Sequence, residues 1–306
     1  MLDYAGLEAL AAVLREGSFD RAARKLHVTP SAISQRIKLL EERVGQVLVM
    51  RGTPCTGTDA GRRLCLHVEQ VGLLENELRR KNPELVPEGL VGRPTLKLAV
   101  NADSLNSWFV DAMAAFTQGG NELLDISIDD QDHTAKRIKE GDVMAAVTAS
   151  SSHITGCNIW PLAKMHYIAA ASPEFVERFF GAEGITPATL SQAPVLTYDR
   201  KDTLQDKWLH QQGVATNHAP PRHWVPSAHA FVRASLAGMA WGMHPTVHIR
   251  EHLQDGTLVE LVPHSGISIP LYWAHARNAQ AGLERLTQCV INAAQDWLDP
   301  LEPKDA

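Results

Sequence analysis

The strongest constraint on this chain lies between residues 18 and 42, where two short helical patterns meet at a tight corner. Ser18 is placed to cap the first helix, and Phe19, Ala22, Ala23 and Leu26 recur on one face of it. His27 and Val28 form the corner, Thr29 can cap a second helix, and Pro30 takes its first position, where a missing N–H costs nothing. The second helix buries Ala32, Ile33, Ile37 and Leu40. Its other side presents Ser31, Ser34, Gln35, Arg36 and Lys38, a mixture of uncharged polar and cationic groups suited to base edges and phosphates. Small Ala22 and Ala23 permit a close crossing, so the pair reads as a helix-turn-helix whose second helix enters the major groove. Taken without its flanks, the pattern fits an ordinary helical hairpin equally well.

The flanks favour the first reading. Asp3 to Arg15 forms a supporting helix through Leu7, Leu10, Ala11 and Leu14, and Gln46 to Arg51 alternates like a strand. The turn from Gly52 to Gly57 then completes a wing that places Arg51, Thr53 and Thr56 near phosphates, with an acid of the head as the competing partner for Arg51. Thr58 or Asp59 caps a long helix reaching about Lys81, with Leu64, Val68, Val71, Leu73, Leu74 and Leu78 on an apolar face that a lone helix has nowhere to bury. Residues 82–94, with three prolines and two glycines, read as a hinge linker.

At 306 residues the chain is too long for one ordinary domain. The first 82 residues hold 13 Lys and Arg against 10 Asp and Glu, while the remainder holds 16 against 25: a basic head on an acidic body. No apolar run approaches the roughly 18 residues of a membrane span and no cationic leader precedes an apolar core, so a cytoplasmic, nucleoid-associated protein without a membrane partner is expected. Cys55, Cys65, Cys157 and Cys289 are scattered, which suggests free thiols.

From Thr95 onward, strands alternate with helices. The expected strands are 95–101, 124–129, 143–148, 167–171, 195–198, 223–225, 240–243 and 271–275. The expected helices are 104–117, 133–139, 173–180, 203–211, 227–237 and 283–298. Such a pattern gives two α/β lobes, about 95–165 with 271–300 and about 166–270, around a periplasmic-binding-protein-like cleft at strand C-terminal ends. Ser104 to Asn106 open a helix whose N–H groups suit a carboxylate. Thr148, Ser150, Ser151 and Ser152 add hydroxyls, and Asp199, Asp202, Ser227 and His229 face them from the second lobe. Asp103, Asp129, Asp130, Asp199 and Asp202 are candidates for a cationic group, so an amino acid with a basic side chain fits both ends.

The run from Ala22 through Thr29-Pro-Ser-Ala-Ile-Ser-Gln-Arg-Ile-Lys38 to Glu41, followed by Gly45, Leu48-Val-Met-Arg51 and Thr58-Asp-Ala-Gly61, closely resembles the N-terminal domain of LysR-type transcriptional regulators. The resemblance implies an all-α winged helix-turn-helix over 1–58, a dimerising linker helix over 59–81 and an α/β effector-binding domain over 95–300. The two heads of a homodimer or homotetramer would meet a two-fold symmetric DNA operator. Asn101-Ala-Asp-Ser-Leu105 with Trp108-Phe109, Ala230-Phe-Val232 and Tyr272-Trp273 resemble the ArgP/LysG branch, which implies lysine or arginine as effector and a basic amino-acid export or metabolism gene as target. In that branch an acidic residue precedes Ala-Phe-Val, whereas here it is His229. A different small effector, or an effector-independent nucleoid-type protein, are the alternatives, and RNA polymerase is a further candidate partner.

His244, His248 and His252 recur at intervals of four, but no acid or cysteine completes a metal set, so a histidine-rich surface helix is expected. No Gly-x-Ser-x-Gly, Walker or Gly-x-Gly-x-x-Gly motif occurs, and neither an enzyme nor a cofactor is expected.

Overall fold

The computed structural model describes residues 3–82, 84, 93–128, 137–138, 142–150 and 156–301. Most of the 82–94 linker, most of the helix expected at 133–139, and Asp129, Asp130, Ser151 and Ser152 lie outside them.

Three helices, α1 (Tyr4–Glu16), α2 (Phe19–Lys25) and α3 (Pro30–Val44), pack around Leu7, Leu10, Ala22, Ala23, Ile33, Ile37 and Leu40. Ser18 Oγ accepts the Arg21 N–H at 3.5 Å and Thr29 Oγ1 accepts that of Ala32 at 3.2 Å, so both caps form where hydroxyls precede the apolar period. His27 adopts φ +53° and turns the chain between the helices. The wing is a short antiparallel pair, β1 (Val49–Met50) and β2 (Thr56–Gly57), not the six-residue strand the alternation suggested. Glu41 Oε1 receives the N–H groups of Leu48 and Val49 at 2.8 and 3.3 Å, which ties the approach to the wing to α3 and leaves little length for pairing.

The long helix α4 (Asp59–Lys81) is capped by Thr58, whose Oγ1 accepts from Gly61 at 3.1 Å. Its apolar face is not simply vacant. Leu64 and Val68 pack against the head, and Leu73 is buried against the closing helix Gln280–Trp297, where a Cβ on Gly282 would lie 2.9 Å from its own Cβ. Glu69, also buried, meets Lys97 Nζ at 2.9 Å. Burial opposes the Lys97 charge, but the Glu69 carboxylate outweighs it and raises the ammonium pKa. Burial and then Glu69 push the neighbouring Cys65 thiol up to about 11. Leu74 and Leu78 remain about half exposed.

The α/β region from Thr95 onward is organised on one mixed sheet, ordered Val259–Glu260, Cys157–Ala171, Ile267–Ala276, Ala145–Thr148, Thr95–Val100, Leu123–Ile128, with Gly242–Pro245 also on Cys157–Ala171. The parallel strands β3 (Thr95–Val100), β4 (Leu123–Ile128) and β5 (Ala145–Thr148) form the first lobe. Two long antiparallel strands, β6 (Cys157–Ala171) and β11 (Ile267–Ala276), run from it into the second lobe, where β9 (Gly242–Pro245) and β10 (Val259–Glu260) join β6. A smaller parallel pair, β7 (Val195–Thr197) and β8 (Arg222–Trp224), completes that lobe.

The sequence pattern marks only the last five residues of β6. Its first half alternates poorly and contains Pro161, which lacks an N–H for the ladder. The β11 register shifts between Leu271 and Tyr272 opposite this proline. The helix expected at 104–117 is two, α5 (Ala102–Leu105) and α6 (Phe109–Gln118). Asn106 Nδ2 and Ser107 Oγ donate to the Ala102 and Asp103 carbonyls at 2.7 Å each, ending the first turn.

A Cβ on Gly61 would sit 2.1 Å from the Leu48 carbonyl oxygen, whereas one on Gly72 of the same helix meets nothing within 4 Å. Gly61→Ala is therefore expected to cost about 1–3 kcal/mol through overpacking. Gly72→Ala should add about 0.5–1 kcal/mol through helix propensity. Urea denaturation of the two variants side by side checks both signs.

Candidate DNA-reading face and ligand cleft

With Ile33, Ile37 and Leu40 in the core, the helical period turns Ser31, Gln35 and Lys38 fully outward, while Ser34 and Arg36 are half-exposed beside them. Ser31 Oγ shares a 2.9 Å hydrogen bond with Thr29 Oγ1. Lys38 Nζ lies 3.8 Å from Glu42 Oε1, both largely in solvent, a weak pair that a phosphate can displace. Arg51 and Thr53 are exposed on the wing. Among the described residues Arg51 pairs with no acid; its guanidinium rests 5.2 Å from the Phe19 ring centroid, which orients the group and leaves its N–H fork open.

The second site is a cavity of about 580 Å³ between the lobes. Asn101 and Asp103 reach it from the end of β3, Tyr198, Asp199 and Asp202 from the loop after β7, and His248 from the helix Thr246–Gln254. Tyr167 of β6 donates its hydroxyl to Asp103 Oδ2 at 2.8 Å. His248 Nε2 donates to the Asp103 carbonyl at 3.0 Å. Burial raises the Asp103 pKa and Asp202 adds to the shift, against the opposing influence of His248 and the Tyr167 hydrogen bond. Tyr198 is raised as well, by burial and then by the Asp103 and Asp199 charges.

Asp199 and Asp202 are held differently. Asp199 Oδ1 accepts the N–H groups of Lys201 and Asp202 at 2.8 and 3.1 Å. Asp202 takes those of Tyr198 and Leu204 at 3.0 Å each. The wall thus combines three carboxylates with Lys201 and Lys207, an electrostatic pattern fitted to a zwitterion with an extra positive charge.

Of the expected ligand residues, Asp103, Asp199 and Asp202 line this cavity. Ser104 is fully buried, and its N–H is taken by Asn101 Oδ1 at 2.8 Å. The amides of Leu105 and Asn106 bond to the carbonyls of Asn101 and Ala102, so the expected carboxylate-binding turn has its donors engaged internally. Asn106 is exposed and bonds back to Ala102. Thr148 is buried, with its Oγ1 accepting from Ser150 N at 3.2 Å. Ser227 caps the helix Ala228–Leu236, and His229, one residue into that helix, is exposed. Neither residue lines the cavity, so the histidine at 229 removes no acid from its wall.

The histidine series is not a surface row either. His244, within β9, is fully buried and bonded through Nε2 to Ser235 Oγ at 2.9 Å. Burial and then the charges of His248 and His252 push its pKa down to about 3, so the ring is neutral. His248 faces the cleft and His252 is half-exposed. Tyr167 and His248 escape sequence reasoning because neither lies in a recognisable motif. The usable signal was Pro245, which starts a helix at a strand's C-terminal end, where such clefts open.

Residues 5–62 match the family described as bacterial regulatory helix-turn-helix protein, lysR family, and residues 91–299 match the LysR substrate binding domain. The chain belongs to the LysR family of transcriptional regulators. It is 42% identical to the HTH-type transcriptional regulator ArgP of Pseudomonas fluorescens over 302 residues, covering 99% of this chain and all of that one. The crystal structure of ArgP from Mycobacterium tuberculosis is 40% identical over 98% of this chain and 100% of that chain, with a TM-score of 0.79. Full-length LysG from Corynebacterium glutamicum with bound effector Arg is 31% identical over 97% of this chain and 100% of that one, with a TM-score of 0.72. This LysR regulator is therefore of the ArgP/LysG type.

A partly buried carboxyl with a raised pKa makes a testable contribution to the regulator's stability. The unfolded chain releases the Asp103 proton near its ordinary 3.8 while the folded chain holds it longer. The associated stability is complete below that pH and is lost as pH rises through the raised value. Asp103→Asn has no such loss, so its Tm should exceed wild type at pH 7 and the gap should close on acidification below 3.8. Calorimetric scans from pH 3.5 to 7.5 measure it.

Proposed function

We propose that the regulator binds lysine or arginine in the interlobe cavity and that occupancy modulates its grip on a two-fold symmetric operator. The observation that carries this reading is the convergence of Asp103, Asp199 and Asp202 on one 580 Å³ space. The cavity volume suits an amino acid, and the carboxylates suit an ammonium or guanidinium. The arginine bound by the related LysG supports the same ligand class. Ser31, Ser34, Gln35, Arg36 and Lys38 contact bases and nearby phosphates, and Arg51 and Thr53 contact phosphates from the wing. The half-exposed Leu74 and Leu78 of α4 supply apolar surface for self-association as a dimer or tetramer. The protein works in the cytoplasm on the nucleoid, controlling a basic amino-acid export or metabolism gene, with RNA polymerase as the further contact at a promoter.

The domain assignment that goes with this reading is 1–58 for DNA, 59–81 for pairing, 82–94 for the hinge and 95–300 for the effector. No element of the ligand reading depends on His229.

Lysine or arginine at one hundred times its dissociation constant should stabilise the folded protein by about 2.7 kcal/mol, whereas leucine should not. A thermal-shift series across the common amino acids decides it, and a shift with an uncharged compound alone would replace the effector. On DNA, Gln35→Ala should relax sequence preference by about 1–3 kcal/mol. Arg51→Ala should weaken operator and random DNA alike and lower the salt slope by about 1. Fluorescence anisotropy with both duplexes at several salt concentrations separates the two effects.

A further inference from the structure

Asp103 is gripped at two points by a single patch of the opposite lobe. Tyr167 pairs across the β6–β9 ladder with Pro245, and His248 lies three residues further along in the helix that this proline precedes. The Tyr167 hydroxyl holds Oδ2 at 2.8 Å and His248 Nε2 holds the main-chain carbonyl at 3.0 Å. Among the described residues Tyr167 is the one hydrogen-bond donor to the carboxylate. A carbonyl oxygen can only accept, so the His248 proton sits on Nε2, and in the neutral ring Nδ1 carries a lone pair. Nδ1 stands 4.0 Å from Asp103 Oδ1, outside hydrogen-bond range, and leaves that oxygen without a donor.

The His248 side chain is only 8% exposed. It is therefore a packed, fixed support and not a mobile surface group. The outcome is a carboxylate with one oxygen anchored, its main chain anchored, and the second oxygen open in a cavity that also holds Asp199 and Asp202. The latter two already receive two loop amides each.

We propose that His248 is a positioning and specificity-determining residue of the cleft: by holding the Asp103 main chain from the opposite lobe, it aims Oδ1 at the cationic group of the ligand. This rests on the reading of the ligand as a basic amino acid. A cation on Oδ1 is then placed relative to both lobes at once, since Asp103 belongs to α5 and its two supports belong to β6 and the helix after β9. His248 acts through Asp103 and need not touch the ligand.

The test uses the full-length protein with lysine and with norleucine, which keeps the chain and backbone groups and lacks the ammonium. His248→Leu removes the donor, and His248→Asn, whose amide is too short to reach the carbonyl, replaces it where the leucine variant does not fold. His248→Gln keeps a donor near the Nε2 position. Calorimetry and ligand-observed NMR should show lysine's advantage over norleucine shrinking roughly tenfold in the Leu or Asn variant, the scale of a hydrogen bond to a charged group. The Gln variant should recover most of it. Equal weakening of both ligands, or an unchanged ratio, overturns the proposal.

Hydrogen exchange of the ligand-free protein reads the anchor without any ligand. Amides of 101–106 should lose protection in the Leu or Asn variant and regain it in the Gln variant, and unaltered protection overturns the anchor. Wild-type protein that binds neither lysine nor arginine overturns the effector reading instead, and the exchange result still decides whether His248 holds Asp103.

Discussion

The antiparallel pairing of β6 with β11 is the interaction on which the effector domain depends. Ten residue pairs, from Ile267 opposite Tyr167 to Ala276 opposite Cys157, make one ribbon that serves both lobes. One end carries β5, β3 and β4, and the other carries β9 and β10 through β6. Trp273 is fully buried in the ribbon, and Trp160 Nε1 donates to His275 Nε2 at 3.1 Å across it. Because each lobe hangs on the same two strands, the space between them is a necessary product of the topology, and residues that flank the ribbon face one another across it.

Chemistry within that space follows from unequal satisfaction of three like-charged groups. Backbone N–H groups bond to the Asp199 and Asp202 carboxylates where they stand, whereas Asp103 has one phenol and a partly buried position that disfavours its charge. Of the three acids, Asp103 is thus the one that receives no backbone N–H among the described residues. A cationic ligand returns to Asp103 the electrostatic stabilisation that burial withholds, while an uncharged ligand of similar shape returns nothing.

Much of this architecture was legible in the residues. The N-terminal head is written in local signals: hydroxyls before apolar periods, a proline at a helix start, alanines at a crossing. Each of these acts within a few residues, and the structure keeps them all. The effector domain depends on distant pairing, and the reading was weaker there. Pro161 conceals the first ten residues of β6, since it has no N–H for the ladder, and the β6–β11 register shifts beside it. Asn106 and Ser107 broke an apparently continuous helix by turning their side chains onto the backbone. The site followed the same division. Asp103, Asp199 and Asp202 are legible as acids for a cationic group and do line the cavity, but Ser104 and Asn106 offer amides that the short α5 turn uses itself. Tyr167 and His248 take their roles from a strand bridge and a helix start far from Asp103 in sequence, which no local pattern records.

The placement of Lys97 gives β3 a second property. This six-residue strand bears, near one end, the ammonium that grips Glu69 of α4, and it runs directly into Asn101 and Asp103 at the other. At about 3.3 Å per residue, the stretch from Lys97 to Asn101 spans roughly 13 Å of extended backbone with no intervening loop. A strand hydrogen-bonded on both sides, by β4 and β5, is stiff along its axis. The chain has thereby built a strut, with the cavity between the lobes at one end and the helix that carries the helix-turn-helix head at the other.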